Sequence, residues 1–125
     1  MRAALFDTGV LLDALRGVGA AGAELQRYGK RYLSRISWIE IMTQGLPDDA
    51  LRCEEFLDHF SIVELSDDIA RSAAQLCGQR RGLSLSNAII LASAQTNGHI
   101  LVTRNTQAFP AQMPGIRVPY MIEEG

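Results

Sequence analysis

At 125 residues, with 47% hydrophobic and 21% charged side chains and a formal charge of −2, the chain has the makeup of an ordinary globular domain. It is long enough to bury one core without a disulfide or a structural metal. No apolar run approaches the ~18 residues needed to span a bilayer, and Asp7 follows Met1-Arg2 too soon for a secretory leader, so one cytoplasmic domain over residues 1–125 is expected. Cys53, Cys77, His59 and His99 stand apart from one another, which leaves zinc, haem and Cys/His catalysis without a supporting spacing and predicts buried free thiols; no GxGxxG or GxxxxGK stretch offers a nucleotide cradle.

Residues 3–6, AALF, form an unbroken apolar run, the pattern of a central strand covered on both faces. Asp7 ends the run where an open α/β sheet places its ligands, outside the carboxyl end of a strand. Asp7 or Thr8 can equally cap the helix that carries Val10, Leu11, Ala14 and Leu15. Gly17, Gly19 and Gly22 loosen the exit from that helix, a short amphipathic helix passes through Leu25 to Tyr28, and residues 32–36 make a second strand. Ser37 then opens a helix in which Ser37 and Glu40 have the S-x-x-E spacing of a capping box, and Gly45 closes it.

Pro47-Asp48-Asp49 introduce the next helix, residues 61–65 a third strand, and Ser66-Asp67-Asp68 a helix that ends ahead of Arg80, Arg81 and Gly82. Residues 87–96, headed by Ser86, are apolar nearly all round and predict the most buried helix. Strands over residues 100–103 and 115–118 complete the pattern, and Arg104-Asn105 follow the first of them directly. Short apolar strands alternating with helices predict a mainly parallel α/β sheet with helices on both faces.

Charge is distributed unevenly. Residues 48–68 hold eight acids against one base, Arg52, whereas residues 69–122 contain no acid and carry Arg71, Arg80, Arg81, Arg104 and Arg117. That half of the chain can present a positive surface to phosphates, or can simply be solvated by the charges available to it.

The opening FDTGVLLDALRG, the middle SRISWIEIM, the stretch LSLSNAIILASAQTNGHILVTRNTQAF and the tail MPGIRVPY occur in a telling order and at telling separations. Together they resemble the PIN-domain family, most closely the VapC-like toxins of bacterial toxin–antitoxin pairs, and the resemblance spans essentially the whole chain. It implies a three-layer α/β/α domain with a parallel sheet of four to five short strands, a homodimer, and RNA cleavage that depends on magnesium or manganese. It also implies a small antitoxin partner that blocks the site, and no membrane. Carried over residue by residue, it makes Asp7 and Glu40 catalytic and metal-binding, with Asn87 as a weaker neutral ligand. Thr8, Thr103 and Asn105 line the cleft; Arg80 and Arg81, from the basic half of the chain, join Arg104 as the candidates for RNA contact, and Asp13 is expected to face solvent.

Several carboxylates must converge for such chemistry, because hard dications take oxygen ligands and their charge needs balancing. Here the chain departs from the family pattern: Asn87 and Ala108 stand where aspartates are usual, and Gly9 where asparagine is favoured. Three readings stay open. The first is an active metal-dependent endoribonuclease, weakened by a depleted acidic site, in which Asp7 and Glu40 hold one ion and Asn87 and Asn105 complete its shell with waters. The second is a catalytically inactive PIN-fold module that binds RNA or an antitoxin. The third is an unrelated α/β regulator whose acids are caps, disfavoured because the one lysine, Lys30, is poorly placed for a phosphate-accepting receiver.

Overall fold

The computed structural model describes residues 2–121. Its strands, β1 (Ala3–Phe6), β2 (Lys30–Ser34), β3 (Ser61–Val63), β4 (Ile100–Val102) and β5 (Ile116–Arg117), form a five-stranded sheet in the order β3-β2-β1-β4-β5, with every neighbouring pair parallel. The helices are α1 (Thr8–Leu15), α2 (Gly19–Gln26), α3 (Arg35–Gln44), α4 (Ala50–Leu57), α5 (Asp67–Gln79) and α6 (Leu85–Thr96).

Strand residues alternate between two cores, as the two-residue period of a pleated sheet requires. Ala4, Phe6, Leu33 and Val102 pack beneath α1, α2 and α4, while Leu5 and Leu101 pack with Ile90, Leu91 and Ala94 of α6. Ile69 and Ala73 of α5 close the second layer against Ala88, Ile89 and Ala92. The result is the three-layer α/β/α arrangement, with α3 packing against α1, α4 and α6.

Several boundaries shift from those read in the sequence, and each shift has a local cause. Ser34, not Ser37, caps α3, its hydroxyl accepting the Ile36 N–H at 3.3 Å, so the strand before it ends two residues earlier than expected. Ser84 rather than Ser86 caps α6 and accepts the Asn87 N–H at 3.1 Å. The second helix takes in Gly19 and Gly22 and stops at Gln26, short of Tyr28. Strands β3, β4 and β5 are each shorter than read, and Cys77 is half-buried while Cys53 is buried.

The short edge strand β5 is held by more than its ladder. Arg117 grips Glu24 of α2 with two hydrogen bonds, Nε to Oε2 at 2.6 Å and Nη2 to Oε1 at 2.9 Å, and the Tyr28 hydroxyl donates to Oε2 at 3.1 Å. Burial of Glu24 pushes its carboxyl up, but the bonds from Arg117 and Tyr28 and the arginine's charge outweigh it, and the net position lies below the usual carboxylate range. A carboxyl depressed on folding stabilises above its unfolded pKa of about 4.3, and the contribution is lost as pH falls through the folded value. Glu24→Gln is therefore expected to cost about 2 kcal/mol near neutral pH, less than a fully buried pair would because Arg117 is partly exposed. Urea denaturation should show the gap between parent and variant closing as pH falls below about 4.

Candidate active site

The chain runs from β1 through β2 to β3 on one side of the sheet, then crosses to place β4 on the other side of β1. The crevice at such a reversal, outside the carboxyl ends of the strands, is where open α/β sheets hold their ligands. Asp7 directly follows β1 and Thr103 directly follows β4, and the Phe6↔Val102 register sets the two side by side. The Asp7 N–H bonds to the Val102 carbonyl at 2.9 Å, and Thr103 Oγ1 donates to Asp7 Oδ2 at 2.7 Å. The other carboxylate oxygen accepts the Thr8 N–H at 2.8 Å, so Asp7 both caps α1 and faces the crevice. It is 5% exposed; burial raises its pKa, the hydrogen bonds from Thr103 and Thr8 work against that, and the nearby Glu40 charge adds to the rise.

Glu40 is delivered by α3 and fastened through Thr8. Thr8 Oγ1 lies 2.8 Å from Glu40 Oε1 and 2.8 Å from Ser37 Oγ. A carboxylate can only accept, so the single Thr8 proton goes to Glu40 and Ser37 donates to Thr8. The S-x-x-E spacing thus has a different meaning from a capping box: one helical turn sets Ser37 and Glu40 on one face of α3, and both engage α1 rather than their own helix's first amides. Ser37, fully buried, is a site-supporting residue that the cap reading concealed.

Asp7, Thr8, Glu40, Asn87, Arg104 and Asn105 line one crevice of about 470 Å³. Gln44, Gln107 and Met121 join them, and no sequence signal marked these three. Thr103 lies beneath, reaching the crevice through Asp7 and through the Asn105 N–H that it accepts at 3.0 Å. The Asn105 side-chain carbonyl accepts the Ala108 N–H at 3.2 Å, which occupies one of that oxygen's two lone pairs and leaves the NH2 group free to donate.

Asp13 does not face solvent. It is 7% exposed, accepts Arg104 Nε at 2.7 Å on Oδ2, and receives the Tyr120 hydroxyl on the same oxygen at 2.7 Å. Burial and the neighbouring Asp13 carboxylate push the Tyr120 hydroxyl's pKa well up, so it remains a donor. Arg104 is thereby held across the rim, with its guanidinium 3.6 Å from where a Cβ on Gly9 would stand. Arg80 and Arg81 border a second, smaller cavity that shares Asn87, Asn105 and Gln107 with the first.

Comparison with known proteins decides the family. A model of the PIN domain matches residues 4–111. The chain belongs to the PIN-domain family. Among solved structures, this PIN domain superposes on a chain of a toxin–antitoxin complex from Klebsiella pneumoniae with a TM-score of 0.88 and 37% identity, covering 95% of this chain and 99% of that one. A chain of FitAcB from Neisseria gonorrhoeae shares the fold at TM-score 0.74 and 22% identity, covering 92% and 96%. So does one of VapBC2 from Rickettsia felis, solved with a DNA fragment from its promoter, at TM-score 0.72 and 14% identity, covering 91% and 95%. No curated protein matches the chain.

PIN domains bind divalent metal ions, and the donors in this crevice can be tested against that requirement. Asp7 and Glu40 are adjacent carboxylates, each with oxygen lone pairs to spare, and their mutual repulsion is the condition a dication relieves. Magnesium binds through one or two carboxylates while keeping several waters, so the set fits a single ion. It does not extend further: among the described residues, no three His, Cys, Asp or Glu side chains are grouped for a metal. No described helix is long and apolar enough to cross a membrane.

Proposed function

We propose that this PIN domain is the toxin of a VapBC-type toxin–antitoxin pair and acts as a slow, divalent-metal-dependent endoribonuclease. The observation that carries the reading is the Asp7–Thr8–Glu40 constellation: two carboxylates from separate elements, bridged by the threonine between them, at the sheet's reversal point. The likeness to a chain of a toxin–antitoxin complex at 37% identity supports the toxin role and an antitoxin as partner.

Asp7 and Glu40 would hold one magnesium or manganese ion, and the side-chain carbonyl of Asn87 would add an uncharged oxygen. When bound, a dication there lowers the pKa of a coordinated water and neutralises charge growing on a phosphodiester. The chain's own residues supply the rest. Thr103 and the Thr8 amide fix the Asp7 carboxylate in one orientation, and Thr8, pinned by Ser37, fixes Glu40. The NH2 group of Asn105 is placed to donate to a phosphate oxygen. Low turnover follows from the charge count: with Asn87 and Ala108 in place of acids, two carboxylates balance the ion, and the attraction lost with each missing charge weakens metal affinity.

Cleavage of a labelled RNA pool in millimolar magnesium, then manganese, tests the proposal. The parent should cut slowly, faster with manganese, and Glu40→Gln should lose about a hundredfold or more. Cleavage that survives in Glu40→Gln overturns the assignment. Retained RNA binding with no cleavage by the parent in either metal replaces it with the binding-module reading, which the neutral Asn87 and Ala108 favour.

A further inference from the structure

The second cavity, of about 280 Å³, lies where the chain lacks the two acids. Arg80 caps the end of α5, and its Nη1 is shielded from solvent with no hydrogen-bond acceptor among the described residues. A guanidinium nitrogen buried without an acceptor is costly, and no carboxylate of residues 69–122 can relieve it, since there is none. Arg81 stands exposed at the same cavity, and Asn87 and Ala108 give its wall no charge to set against the arginines.

We infer that this cavity is a phosphate subsite for single-stranded RNA, in which the Arg80 guanidinium binds a backbone phosphate neighbouring the one at Asp7 and Glu40. The inference rests on the nuclease reading for its ligand. The planar fork of arginine matches two phosphate oxygens at once, and the NH2 group of Asn105, shared between the two cavities, donates to the same kind of oxygen. The groove thus has the Asp7 and Glu40 carboxylates at one end, where Arg104 is already paired with Asp13, a guanidinium without an acceptor at the other, and uncharged amides between. The missing acids acquire a physical meaning here. An aspartate at position 87 or 108 would neutralise Arg80 from within, so losing the acids transfers part of the phosphate binding from metal to arginine.

The test uses a uridine octanucleotide in EDTA, where cleavage cannot occur, with affinity followed by fluorescence anisotropy over a range of salt. The Arg80 cap is made by the backbone N–H bonding to the Leu76 carbonyl, so side-chain replacements leave it intact. Arg80→Gln should weaken binding about tenfold and reduce the salt slope by about 0.7, the value for one phosphate contact on a single strand. Arg80→Lys should keep the slope while losing part of the affinity, because it retains charge without the fork. Asn87→Asp should weaken metal-free RNA binding and strengthen magnesium binding measured by calorimetry.

An unchanged affinity and slope in Arg80→Gln overturns the subsite. If that variant instead loses binding to an acidic octapeptide while RNA binding persists, the cavity receives a protein carboxylate and the RNA assignment is wrong. The two proposals fail separately. Cleavage surviving in Glu40→Gln removes the Asp7–Glu40 metal-site assignment and leaves the EDTA result standing, whereas an Arg80-independent EDTA result leaves that assignment untouched.

Discussion

Asp7→Asn should reduce metal-dependent cleavage by about a hundredfold to a thousandfold and abolish the magnesium-induced rise in melting temperature, while leaving the metal-free protein within a few degrees of the parent. Both effects come from the same two oxygens. Oδ1 of an asparagine can still accept the Thr8 N–H, so the cap on α1 persists. Its NH2 group meets the Thr103 hydroxyl, which can turn and accept because a hydroxyl serves as donor or acceptor. What disappears is the negative charge that a dication requires. Differential scanning fluorimetry with and without magnesium separates the outcomes. A large drop in the absence of metal would make Asp7 chiefly a cap, since a lost cap costs roughly 1 kcal/mol, and would count against its assignment as a metal ligand.

The largest loss of stability is expected from Phe6→Ala. Phe6 is fully buried on the central strand, edge-on to Tyr28 at a centroid distance of 5.5 Å and to Phe60 at 6.2 Å. Through these two rings it joins the ends of α2 and α4 to the sheet. Deleting it should cost about 3–5 kcal/mol and lower the melting temperature by on the order of 15 °C. Phe6→Leu, which keeps most of the volume and loses the aromatic contacts, should cost about half as much or less. Urea denaturation checks both, and a loss below about 1 kcal/mol for the alanine variant would contradict the packing described. Because Asp7 is the next residue, the leucine variant should also bind magnesium more weakly than the parent without losing it.

How much could be read from the sequence depended on whether the signal was local. The apolar run of β1, the acidic start of α5 and the all-round apolar α6 are short-range patterns, and the structure contains all three. Helix starts were harder, because the chain offers serine twice at each: Ser34 and Ser37, Ser84 and Ser86. Only the residue held extended can cap, and for α3 that is settled by the pairing of Ser34 with Val63 on a neighbouring strand, which local sequence does not contain. Asp13 was misplaced for the same reason: Arg104 and Tyr120, which bind it, are 91 and 107 residues away. Asp7 and Glu40 were named together through family resemblance, since no spacing rule brings residues from different elements to one crevice. The buried Nη1 of Arg80 had no signal, because arginine in a polar turn reads as a solvated residue.

The placement of Tyr120 and Met121 carries a practical consequence. β1 begins at Ala3, at the end of the strands opposite the crevice, whereas Tyr120 is tied to Asp13 and Met121 stands in the crevice wall. A peptide added ahead of β1 departs on the far side of the molecule. One inserted directly after Met121 starts at the crevice wall. An insertion there would crowd the crevice or tug on the Tyr120–Asp13–Arg104 bracket, so a silent assay with it would reflect the attachment as much as the site's own chemistry.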